Sequence, residues 1–274
     1  MLEVVPFRLT LTGESAENHE FQGYDGYMAL AGFAWALSLA TNYANTGKIR
    51  QRGDFDGRQS VRAKAIDEGS IIADFVVAVS GSPNEIFGLA AAATGAQFLY
   101  ALVARIISRN LGTDIEPDND ALEMLLANRG GDIEALVAIS EAPIRQAHSI
   151  IGNGASQIVI SAGINIINTF NANTRDYVKL NIEDRQEIGK TVSVSAFNAN
   201  SGYGSVFDPG LGRVLPFSMS RDTLRRYGAI FAWGLAQYVS RTGLKIDINF
   251  TRILAMDGTP KRYVISSAHR LKDQ

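Results

Sequence analysis

Residues 86–107 constrain this chain more than any other stretch. They read IFGLAAAATGAQFLYALVARII, 22 residues with one formal charge, Arg105. A run of that length can span a bilayer, fill the centre of a water-soluble domain, or pair with another helix. Ala-rich sequence is weakly hydrophobic on insertion scales, and Gln97 and Arg105 both cost energy in lipid. The first reading is therefore one long buried helix, with a membrane-active helix and an oligomer interface as the other two. Gly88, Ala92, Gly95 and Ala96 fall at three- and four-residue steps. On one helix they would form a small-residue face that lets a second helix approach closely.

The rest of the composition excludes several classes. With no cysteine, the chain has neither a disulfide framework nor a Cys-based zinc site. With 46% hydrophobic residues and a formal net charge of −2, it is not a disordered tail. The opening MLEVVPFR has no basic region before an apolar core, so no signal peptide is expected, and the expected location is cytoplasmic. The balance of charge is uneven. Residues 1–174 hold 11 Lys/Arg against 19 Asp/Glu, −8, and residues 175–274 hold 15 against 9, +6. A basic last third suits an anionic partner, or docking on the acidic part, in the same chain or in another copy.

Periodicity organises the first part as a β-α-β-β unit. Val5, Phe7, Leu9 and Leu11 alternate with Pro6, Arg8, Thr10 and Thr12, a half-buried strand. Residues 13–23 read as a loop. Asp25 is placed as the cap of a helix over about 26–44 that Gly47 ends. Residues 61–65 and 71–79 form a hairpin around Asp67-Glu68-Gly69-Ser70, and Pro83 opens the apolar helix. Asp118-Asn119-Asp120 caps a further helix, which Gly130-Gly131 breaks. Asp132 and Pro143 would start two more. Residues 158–160 look like a short strand, and 165–173 fit neither type.

In the last third, strands around 192–197, 203–207 and 213–217 precede a helix capped by Ser220. That helix carries Leu224, Tyr227, Phe231, Leu235 and Tyr238 at steps of three and four. Two strands around Asp257-Gly258 follow. Five short strands with one inserted helix suggest a small, partly closed β-barrel of SH3 or OB size. The expected fold class is α+β, with a domain at 1–175 and a basic barrel at 176–274. One echo stands out: Phe170-Asn171-Ala172-Asn173-Thr174 returns as Phe197-Asn198-Ala199-Asn200-Ser201, and both copies are expected to end strands with Asn-centred turns.

Tyr24-Asp25-Gly26, Glu68-Gly69-Ser70, the stretch from Phe197 to Gly204, Arg213-Val214-Leu215-Pro216-Phe217 and Lys261-Arg262-Tyr263 together resemble a group of bacterial proteins known as a domain of unknown function. The resemblance covers most of the chain. It implies a bacterial, intracellular protein and assigns no catalytic residues.

No local pattern for catalysis emerges. His19, His148 and His269 stand far apart and are read as surface or helix-end residues. There is no Gly-x-Ser-x-Gly elbow. Gly152-Asn153-Gly154 lacks the Gly-Lys-Ser/Thr ending of a phosphate loop. Asp54-Phe55-Asp56-Gly57 and Asp118-Asn119-Asp120 are read as a turn and a cap rather than cation sites. No metal and no cofactor are expected, and the enzyme reading is not favoured. Tyr203, Phe207, Arg213, Lys261, Arg262 and Tyr263 are the candidate binding residues. On one barrel face they would offer stacking and phosphate neutralisation to a nucleotide or single-stranded nucleic acid. Strand alternation argues instead that the aromatics turn inward. The leading expectation is a non-enzymatic protein that self-associates or binds a protein partner. The alternatives are nucleic-acid binding through the barrel, and a conditional membrane effector of the toxin or phage-defence type acting through 86–107.

Overall fold

The structure is a computed structural model and describes residues 2–50, 60–64, 71–91, 93–113, 118–255 and 258–271. The chain is α+β and divides into two compact units. One comprises Met1–Leu125 and Ile139–Lys179, the other Leu126–Ala138 and Leu180–Gln274.

The first unit is an antiparallel sheet with helices on one face. Its strands are β1 (Leu2–Thr12), β2 (Val61–Ala63), β3 (Ile71–Ser80), β4 (Gln157–Ala162) and β5 (Asn165–Phe170), in the order β2-β3-β1-β4-β5. The alternation in β1 and β3 sends Val5, Phe7, Leu9, Phe75, Val77 and Val79 to the covered face. Each such side chain stabilises by about 1.5–3 kcal/mol on burial. β2 pairs with β3 as expected, Val61 opposite Val77, while the Asp67–Ser70 turn lies outside the described residues, as does Asp54–Gly57. Residues 165–173, unassigned from the sequence, become β5 and the start of a helix.

Helix α1 (Gly23–Thr46) begins earlier than expected. Gln22 stands at its N-cap without a side-chain bond, so Asp25 is not the cap. Asp25 lies in the first turn, where a carboxylate suits the positive end of the helix. Gly47 closes α1 at φ 64°, as read. A short 3-10 turn, Glu14–Asn18, replaces part of the expected loop. Phe7 meets Phe33 of α1 at 6.5 Å between ring centroids, and Phe33 meets Phe75 at 5.4 Å.

The apolar stretch is not one helix. Ser82 and Glu85 form a capping box for α2 (Pro83–Phe87), which Gly88 ends at φ 67°. Thr94 and Gln97 form a second capping box that starts α3 (Gly95–Asn110). The described residues between the two helices are not helical. The physical reason is local: two reciprocal caps and one left-handed glycine outweigh uniform apolarity. No helix among the described residues is long and apolar enough to cross a membrane.

Helix α4 (Asp120–Ala147) is capped by Asn119, whose side chain accepts from Leu122 N–H at 3.0 Å. It kinks at Arg129, next to the expected Gly130-Gly131 break, but Pro143 lies inside it rather than starting a new helix. Close helix packing does occur, at Gly32 of α1. A Cβ there would meet Pro143 O and Ala147 N, both at 2.6 Å.

The second unit is a closed barrel, where partial closure was expected. It is built from β6 (Ile182–Phe197), β7 (Tyr203–Asp208), β8 (Arg213–Met219), β9 (Ile246–Leu254) and β10 (Pro260–Arg270), in the order β10-β8-β7-β6-β9. A short parallel pairing closes it, Tyr263 opposite Phe217. Helix α6 (Arg221–Val239) follows β8, with Ser220 accepting from Thr223 N–H at 3.1 Å. Between the barrel and the first unit's sheet in sequence lies α5 (Ala172–Lys179). Helix α6 buries Phe231 and Gly234 among Val194, Ile246 and Phe217, with Leu224, Tyr227 and Leu235 beside them. Tyr238, expected on this face, is exposed instead.

Candidate binding surfaces

The echoed motif has one structural meaning in both copies. Phe170 ends β5 and Phe197 ends β6, and an Asn follows each. Asn171 Oδ1 accepts from Thr174 N–H at 3.2 Å, opening α5. Asn198 Oδ1 accepts from Ser201 and Asn200 N–H, both at 3.0 Å, turning the chain into β7. An Asn three residues before Thr or Ser thus ends both strands.

The six barrel candidates do not form one face. Tyr263 is 1% exposed, stacked on Phe250 at 3.9 Å, and its hydroxyl donates to Asp208. Tyr203 and Arg262 are half-buried, and Phe207 is exposed. Arg213 donates to the carbonyl of Pro260 at 3.0 Å, and Lys261 to Asn181 Oδ1 at 2.6 Å. Of the three aromatic candidates, Tyr263 therefore belongs to the core, while Phe207 stays exposed.

Around it lies a cluster that the sequence reading missed. The Asp208 carboxylate, at the end of β7, is fully buried. Its Oδ2 accepts from Lys190 Nζ at 2.6 Å and from Tyr263 Oη, and its Oδ1 accepts from Gly210 N–H at 2.8 Å. Burial pushes this carboxyl up, but the donors outweigh it and hold the group below the usual carboxylate range. Burial, and then Asp208, push the Tyr263 hydroxyl up. A tyrosine held protonated and a carboxylate held ionised form a tether rather than an acid–base pair. The tether joins the β7–β8 turn to β6 and β10.

In the first unit His148 does sit at a helix end, but it is wholly buried rather than on the surface. It stacks on Phe170 at 4.0 Å, and Nδ1 lies 2.7 Å from Ile144 O. A carbonyl only accepts, so Nδ1 carries the proton. Nε2 then acts as an acceptor 3.0 Å from Thr174 Oγ1, whose hydroxyl also lies 3.0 Å from Asn171 O. Burial lowers this histidine to about 4. His19 and His269 are exposed.

Of the small-residue candidates, Gly88 ends α2, while Gly95 and Ala96 begin α3. Ala92 lies outside the described residues. Ala96 N–H donates to Glu3 Oε2 at 3.0 Å. Gly88 and the pair Gly95 and Ala96 do not share a helix.

The sheet's other face is exposed and partly apolar. Val4 of β1 is 61% exposed, Ile166 of β5 is 67% exposed, and Ile164 in the β4–β5 turn is 98% exposed. Register brings them to one corner. Val4 pairs with Ala78, Pro6 with Val76, and Ser161, next to Arg8, pairs with Ile166. The Arg8–Asp74 pair, 2.7 Å apart, lies beside them. Among the described residues, no group of three or more His, Asp or Glu side chains converges to hold a metal ion.

A helix-backed antiparallel sheet followed by a closed five-stranded barrel defines the class of protein. Within that class the chain belongs to the family described as a domain of unknown function, DUF7946, whose model matches residues 7–179. Residues 186–269 match a second family of unknown function, DUF7947. The junction between the two matches follows Lys179, where the first unit ends. No curated protein and no solved structure matches the chain.

Proposed function

We propose that this is a binding protein rather than an enzyme, and that it associates with a second copy of itself through the exposed corner of its first sheet. The observation that carries this reading is the grouping of Val4, Ile164 and Ile166 on a face that the unit's own helices leave open. Isolated exposed apolar residues are ordinary, whereas a cluster of large ones on a sheet face marks an interaction site. A like corner on a second copy suits this surface, because its neighbouring charges Arg8 and Asp74 pair with each other within each chain. Sedimentation velocity over a range of protein concentrations tests it. The wild type should self-associate, and Ile164→Asp with Val4→Asp should shift it to monomer. Both side chains are exposed, so folding should be kept. A wild type that stays strictly monomeric at high concentration overturns the proposal.

A further inference from the structure

We propose a binding site for single-stranded nucleic acid on the barrel unit, at the seam between α6 and the end of β10. This seam differs from the face expected from the sequence, and it does not depend on self-association.

Four observations meet there. The guanidinium of Arg270 lies over the Trp233 ring, its Cζ 4.9 Å from the ring centroid. One residue back on β10, the His269 ring meets Tyr227 edge-on, with centroids 6.4 Å apart. Arg226, next to Tyr227, is exposed and precedes Trp233 by seven residues, two helical turns on the same side of α6. Arg226 has no hydrogen-bond or ion-pair partner among the described residues, and Arg270 has only its contact with Trp233 there. The one acidic side chain in the first turns of α6, Asp222, is 3.7 Å from Arg225.

Two solvent-facing cations beside two aromatic rings form a pattern that attracts an anion with flat rings. A guanidinium held over an indole keeps N–H groups for a phosphate, and the rings beside it offer a face to a base. Every base has a π-face, so such a platform tolerates sequence. A folded duplex hides its bases, and an acidic peptide lacks them. That leaves a single strand as the occupant the chemistry fits. The surplus of six positive charges in residues 175–274 supplies the long-range attraction.

The test uses the full chain and a fluorescein-labelled oligo-dT of about 15 nucleotides, near the site size of a small barrel. At low salt its anisotropy should rise with a Kd on the order of 10 μM, as for non-specific nucleic-acid binding. Arg226→Ala with Arg270→Ala should weaken binding about tenfold and flatten the salt slope by about 1.4, at about 0.7 per lost phosphate contact. In a Trp35→Phe background the remaining tryptophan, Trp233, should be quenched by the oligonucleotide. Should the double variant lose its circular-dichroism spectrum, Arg226→Glu, on the exposed side of the helix, reads the same effect. No anisotropy change at low salt overturns the proposal. An unchanged Kd in a folded variant also overturns it. So does inorganic polyphosphate binding as tightly as the oligonucleotide, because stacking would then contribute nothing.

Discussion

His148 is neutral in the folded chain, and this sets a direction for stability against pH. Unfolded, the ring takes a proton below about 6.5; folded, it resists protonation until about 4. Above the upper value both states are neutral, and this contribution is complete. As pH falls between the two, the unfolded chain binds a proton that the native chain refuses. Stability then drops with a slope approaching about 1.4 kcal/mol per pH unit, roughly 3 kcal/mol in all. Urea unfolding at neutral pH and near pH 4.5 should show this loss in the wild type. In His148→Gln, which can still donate to Ile144 O, this part of the slope should vanish, and a variant that keeps the full slope contradicts the assignment. Residues of this kind were hard to read from the sequence. Nothing local to Ala147-His148-Ser149 announces that α5 and Phe170 will enclose the ring. Asp208 was more legible. It shares the inward parity of Val206, and Tyr263 shares that of Ile265, so alternation carried one residue further places both in the core.

Elements follow local signals where those signals are strong. Strands β1 and β3, the later half of β6, β7, β8, the Gly47 stop, the Ser220 cap and the paired Asn turns all rest on period-two alternation or on short capping patterns, whereas β5 and the start of β6 carry no such signal. The apolar stretch shows the opposite case. Ser82-x-x-Glu85 and Thr94-x-x-Gln97 are both capping boxes, visible in the sequence, yet the uninterrupted apolar run hid them. Glycine substitutions separate the two descriptions by sign. In the middle of one helix, Gly88→Ala would stabilise by about 0.5–1 kcal/mol. At φ 67°, with open space around the missing Cβ, it should instead destabilise by about 1 kcal/mol. Gly32→Ala should cost more, about 2–3 kcal/mol, because its Cβ meets backbone atoms of α4 at 2.6 Å that cannot move singly. Thermal unfolding of the two variants checks both the sign and the order. Pro143 departs from the expected helix start for a related reason. Proline opens helices readily, but a long helix packed at Gly32 also tolerates one inside, at the loss of one backbone hydrogen bond.

At the scale of the whole molecule the chain keeps two kinds of surface, and salt distinguishes them. The sheet corner around Val4, Ile164 and Ile166 is apolar, and its neighbouring charges, Arg8 and Asp74, are paired with each other. Association there draws on buried area, which added salt leaves intact or strengthens. The α6–β10 seam draws on Arg226, Arg270 and their neighbours, whose attraction to phosphates is screened and whose counterion release is lost as salt rises. With about three phosphates engaged, log affinity should fall by about 2 for a tenfold rise in salt, roughly a hundredfold loss. Self-association measured between about 50 and 500 mM salt should hold or tighten over the same range. If self-association instead weakens in step with oligonucleotide binding, the copies meet through the acidic and basic parts of the chain rather than through the sheet corner. In that case Ile164→Asp should leave the sedimentation coefficient unchanged, and charge reversal at Arg225 and Arg226 should abolish both activities together. Opposite salt responses in one preparation, with each variant removing only its own activity, assign the two surfaces separately.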